Sequence, residues 1–97
     1  MIRPRHVFAA RMALRDKIEE SNIEYTPESV DRALNRVDRV ALQYACEESG
    51  TPMNAMPNTK IGDGTILNAI LEFLRSPQGQ AIIDALLKAL LHLLVPV

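Results

Sequence analysis

The last twenty-two residues, SPQGQAIIDALLKALLHLLVPV, constrain the fold more than any other part of the chain. Between Gln80 and Val95 the polar side chains are Gln80, Asp84, Lys88 and His92, each four apart, and the other twelve positions are apolar. Steps of four drift by about 40° around a helix of 3.6 residues per turn, so these four groups make one narrow, slowly winding stripe. A helix that faces a core on one side needs an apolar arc of only about 100°. This helix is apolar around most of its circumference and demands cover on several sides.

Three kinds of cover suit it. The helix can be the centre of a small bundle, wrapped by the rest of its own chain. It can meet lipid: Pro77 to Val95 is nineteen residues, about 28 Å at 1.5 Å per residue, close to the hydrocarbon thickness of a bilayer. The energetics disfavour a lone span. Nine Leu, Ile and Val residues contribute at most about −0.3 to −0.6 kcal/mol each, while Asp84 and Lys88 each cost about +2.5 to +3.5, so the sums roughly cancel. An interfacial helix would show a broad Lys-rich face, which is missing here. The third cover is other protein, with Ile82, Ile83, Leu86, Leu87, Leu90, Leu91 and Leu94 docking into an oligomer or larger assembly.

The rest of the sequence is differently made. Residues 1–48 carry 8 Lys+Arg and 9 Asp+Glu, whereas residues 49–97 carry 3 and 3, within 97 residues of formal net charge −1. A charged half precedes a nearly uncharged one, in a chain long enough for one modest core. Pro4 to Glu20 reads as a first helix, with Val7, Ala10, Leu14 and Ile18 in a narrow arc; Arg15 and Glu19 sit at pairing distance on its wet side. A second helix is expected from Pro27 to Ser49, with Thr26 as N-cap, Pro27 at its first position and Gly50 as its stop. Its apolar stripe is Val30, Ala33, Leu34, Val37, Ala41 and Tyr44. Leu42 and Cys46 point away from that stripe, so they read as a second apolar patch on a charged face, either an interface or ground covered by the later helices.

TPMNAMPNTKIGDG follows as a loop over 51–64, in which Met53, Met56 and Ile61 are expected to pack. A third helix covers about Thr65 to Arg75, and Ser76-Pro77 starts a fourth at a sharp corner. The fold class is therefore all-α: a single domain of about four helices, residues 1–50 forming a charged helical hairpin and residues 65–97 two apolar helices.

No catalytic, metal or cofactor site emerges. His6 and His92 have no His, Cys or carboxylate at metal-ligand spacing. Cys46, the sole cysteine, has no sequence-local activator and excludes an internal disulfide. IGDGT resembles an anion-binding turn but lacks a Walker lysine, and Asp63 would repel phosphate, so an N-capping turn is the expected role. Adjacent pairs such as Glu19-Glu20 diverge on a helix and make no dyad. Arg3, Arg5, Arg11 and Arg15, with Phe8 among them, could touch nucleic acid, although acids are interleaved and no aromatic platform accompanies them. The basic N-terminus lacks the apolar run of a secretory signal. The expectation is a non-enzymatic structural or interaction protein, docking through its apolar C-terminal helix onto like copies or a larger assembly, a virion in which it is a minor component being one that suits it. A nucleic-acid-binding regulator and a membrane-peripheral protein are the alternatives.

Overall fold

A computed structural model describes residues 2–52, 55–57 and 65–94. Among them the chain is all-helical, with five helices rather than four: α1 (Pro4–Glu20), α2 (Pro27–Asn35), α3 (Arg39–Ser49), α4 (Thr65–Arg75) and α5 (Pro77–Leu94). α5 touches each of the other four helices. Its Ile82, Ile83, Leu86, Leu90 and Leu94 are buried in the same core as Ala9, Leu14 and Ile18 of α1 and Ile70 and Leu74 of α4. The apolar helix is thus covered by its own chain, and its narrow polar edge, Asp84, Lys88 and His92, is left exposed.

The extra helix arises where Pro27 to Ser49 was expected to run unbroken. The Arg36 and Val37 N–H groups donate to Ala33 and Leu34, three residues back, which tightens and closes α2. Asp38 then leaves helical geometry, and its carboxylate accepts the Ala41 N–H at 2.8 Å, capping α3. The Val37 carbonyl, freed by the break, accepts a hydrogen bond from Arg11 Nε at 3.0 Å. A short acidic side chain competes well for N–H groups at a helix start, and here a residue of α1 satisfies the carbonyl left behind.

This break rotates α3. Val30, Ala33, Leu34 and Val37 are buried as expected, but Tyr44 is 51% exposed, while Leu42, Ala45 and Cys46 turn inward. Leu42 and Cys46 are therefore core residues and not an outward patch: α3 and α5 pack together and enclose them.

Other expected signals hold. Thr26 Oγ1 accepts the Ser29 N–H at 3.1 Å, and Ser29 Oγ reciprocally accepts the Thr26 N–H at 2.9 Å. Gly50 ends α3 at φ 73, the left-handed conformation glycine tolerates. At the α4–α5 corner Ser76 Oγ accepts the Gly79 N–H, with Pro77 in the first turn. The elbow is so tight that a Cβ on Gly79 would overlap the Phe73 carbonyl oxygen and Leu74 Cα. The charged faces connect helices rather than neighbours in sequence: Arg15 reaches Asp31, not Glu19, and Asp84 reaches Lys17, not Lys88. These pairs are solvent-exposed, worth about 1 kcal/mol or less each. In the 51–64 segment Met56 is buried; Met53, Ile61 and the IGDG turn lie outside the described residues.

His6 is the one buried imidazole among them. Its Nδ1 accepts the Arg3 N–H and its Nε2–H donates to the Pro57 carbonyl, both at 2.8 Å, tying the loop to the start of α1. Both bonds together require the neutral ring. Burial lowers its pKa below 6.5, the Arg5 and Arg3 charges act in the same direction, and the Pro57 hydrogen bond opposes them without reversing the shift.

Two measurements follow. Gly79→Ala should cost about 3 kcal/mol of stability through backbone overlap, against about 1–2 kcal/mol for Gly50→Ala, which meets only the left-handed penalty; urea unfolding reads both. Because the folded His6 pKa lies below the unfolded one, its contribution is complete above about pH 6.5 and declines as pH falls, the unfolded chain taking the proton first. The urea midpoint should therefore drop between about pH 6.5 and 5 in the native chain and drop less in His6→Gln.

Candidate interaction surfaces

With α5 enclosed, the outward apolar groups lie elsewhere. Among the described residues the exposed large hydrophobics are Phe8, Met12, Tyr25, Val40 and Tyr44. They fall on two faces.

The first face is the seam between α3 and α5. Val40 is 77% exposed and Tyr44 51%, four residues apart on one side of α3. Across from them α5 contributes Ala89 and Leu93, with His92 at the edge, making an open furrow rather than an enclosed cavity. Beyond Tyr44 the furrow continues between Glu48 and Lys88. The Tyr44 hydroxyl donates to Glu48, and that bond, with the carboxylate charge, raises its pKa above 10. The phenol stays neutral, on the water-facing side of α3.

The second face is the furrow between α1 and α2. Three depressions follow one another along it, the first and second meeting at Phe8 and Arg11 and the second and third at Arg15, from Pro4 and Arg39 at one end to Tyr25 and Glu19 at the other. The antiparallel course of the two helices sets this order, since Arg11 lies beside Val37 and Arg15 beside Asp31.

The expected docking residues are distributed differently. Ile82, Ile83, Leu86, Leu90 and Leu94 point into the core, as do Leu42 and Cys46. Leu87 and Leu91 are half-buried against the core along one flank of α5. Of the four arginines, Arg11 and Arg15 line the α1–α2 furrow, Arg3 is exposed and Arg5 is half-buried. Val40 and Tyr44 were missed as a pair because a continuous helix places Tyr44 inward. Their i,i+4 spacing was the available signal, and only the break at Asp38 makes it face outward.

Among the described residues no group of three or more His, Cys, Asp or Glu side chains could hold a metal ion. No described helix is long and apolar enough to cross a membrane. Burial pushes the Cys46 thiol up to about 11, with the Glu47 charge adding to the effect. The thiolate is the reactive form, so Cys46 should resist a thiol-specific disulfide reagent in the native protein and react at once in urea. Rapid native labelling near neutral pH would show that the α3–α5 contact opens freely.

No family model matches the chain, and neither the curated proteins nor the solved structures include one significantly similar to it, so the two faces are argued from their chemistry alone.

Proposed function

We propose that this chain is a non-enzymatic interaction protein, docking onto a protein partner or into a larger assembly, such as a multi-protein particle, through the α3–α5 seam. The observation that carries the reading is the exposure of Val40 and Tyr44 beside the apolar edge of α5. A β-branched side chain 77% in water at the first turn of a capped helix adds nothing to the core and little to helix propensity. Together with a half-exposed tyrosine and Leu93 it makes the amphipathic patch that protein interfaces favour, an aromatic anchor with a polar rim of Glu48, Lys88 and His92. The C-terminal helix then takes part through its Ala89–Leu93 edge and not through its buried leucines.

A photoreactive amino acid placed at position 40, in cells that express the chain, should form a covalent adduct of discrete mass. The same group at Gln43, exposed on α3 beside Glu47, is the control. Equal labelling at the two positions would remove the seam as a docking site. Val40→Asp should change folding stability by no more than about 0.5 kcal/mol while abolishing the adduct-forming complex in competition.

A further inference from the structure

The α1–α2 furrow has a charge order that makes it complementary to itself. Residues 1–15 contain four arginines and no acid, residues 18–31 contain five acids and no base, and residues 32–39 contain three arginines and one aspartate. The antiparallel hairpin folds this order into two ends, and of these charges Arg11, Arg15, Arg39, Asp38, Glu19 and Asp31, with Asp16 between them, line the furrow. Where α1 begins and α2 meets α3, the furrow is lined by Arg11 and Arg39, with Asp38 committed to capping Ala41. At the α1–α2 turn it is lined by Glu19 and Asp31, with Arg15 already paired to Asp31. Among the described residues, Arg39 and Glu19 have no ion-pair partner within the chain. Between the two ends Phe8 and Met12 are 54% and 39% exposed, and Tyr25 at the acidic end is 40% exposed.

We infer that this face pairs with the same face of a second copy, the two α1 helices running antiparallel about a two-fold axis. A two-fold interface sets each residue away from its axis against a different residue of the other copy, so a surface basic at one end and acidic at the other meets its complement on turning through 180°. The spacing on α1 suits such an axis. Met12 is the middle residue of the 17 in α1, with Phe8 about 6 Å to one side of it and Glu19 about 10 Å to the other at 1.5 Å per residue, so an axis just beyond Met12 sets Phe8 over Glu19 of the other copy. Phe8 and the arginine end of one copy then lie over Glu19 and Tyr25 of the other, and the two Met12 side chains close the centre. An unrelated partner would need the same polarity and length by coincidence; the chain itself supplies both.

The area sets the strength. α1 has 17 residues, about 25 Å, and two helices are about 20 Å wide. Some 500 Å² per copy, about 1,000 Å² in all, is the size of weak, reversible pairs. The dimer should therefore form in the micromolar range and weaken with salt.

The inference rests on the interaction reading above but uses the other face, so the two can fail separately. Sedimentation velocity of the full chain between about 1 and about 200 µM, in low and high salt, measures the monomer–dimer balance. The native chain should dimerise and Phe8→Asp should remain monomeric. Arg39→Glu and Glu19→Lys should each weaken the dimer about fivefold or more, since each change occurs twice in the pair. The combined Arg39→Glu/Glu19→Lys chain restores complementarity and should recover to within about twofold. Circular dichroism confirms that each variant is folded. A native chain that stays monomeric throughout overturns the proposal, and so does such a monomer binding an oligonucleotide through Arg11 and Arg39. If Val40→Asp dissociates the dimer and Phe8→Asp does not, the α3–α5 seam is the interface: this proposal falls and the interaction reading stands.

Discussion

A helix apolar around most of its surface cannot be satisfied by one neighbour, and this requirement organises the molecule. α5 can lie at the centre only if helices cover it on several sides, and α1, α2, α3 and α4 all do so. The exposed positions Asp84, Lys88 and His92 mark the edge that no helix covers. The elbow before α5 follows from the same demand. For α4 to double back onto α5 the backbones must nearly touch at Gly79, where any side chain would strike the Phe73 carbonyl. Burial is the main favourable contribution to folding, and here one helix organises a large share of it.

The break at Arg36–Asp38 is the second determinant, since it chooses which residues of α3 serve the core. A continuous helix would have sent Ala41 and Tyr44 inward along the line of Val30 and Val37. Because α3 restarts on the Asp38 cap, Leu42, Ala45 and Cys46 meet α5 and Tyr44 stays in water. One hydrogen bond from Arg11 to the Val37 carbonyl makes the interruption tolerable by satisfying a group that the helix abandons. The core gains Leu42, and the surface gains Val40 and Tyr44.

Much of the architecture was legible in the residues, because it rests on local chemistry. Pro4–Glu20 is the helix its periodicity marks, Thr26 caps through its own hydroxyl, Gly50 stops α3 in the left-handed region, and Ser76-Pro77 makes the corner. What was not legible depends on partners distant in sequence. Asp38 in DRALNRVDR has the spacing of an ordinary solvated helical face, and the break shows only where its carboxylate caps Ala41 and Arg11 takes the Val37 carbonyl left behind. Arg15 and Asp84 each had an acceptable partner four residues away, yet the packed helices bring Asp31 and Lys17 closer. His6 looks like a lone terminal histidine until Pro57, fifty-one residues on, closes over it. The outward faces were misjudged for the same reason. Whether a leucine stripe is interface or core depends on how many helices return to it, and no local pattern encodes that number.

The central position of α5 also bears on how the protein is made. The four helices that enclose it all precede it in the chain, so on the ribosome each emerges before it can pack against α5, although α1 and α4 can already meet. Helices of 9 to 17 residues without tertiary support are marginal in water. The nascent chain therefore carries the apolar surface that faces α5 uncovered until α5 clears the exit tunnel, and the core closes only in that late step. Transiently exposed apolar surface favours aggregation, so that interval, more than the finished fold, is the chain's point of exposure.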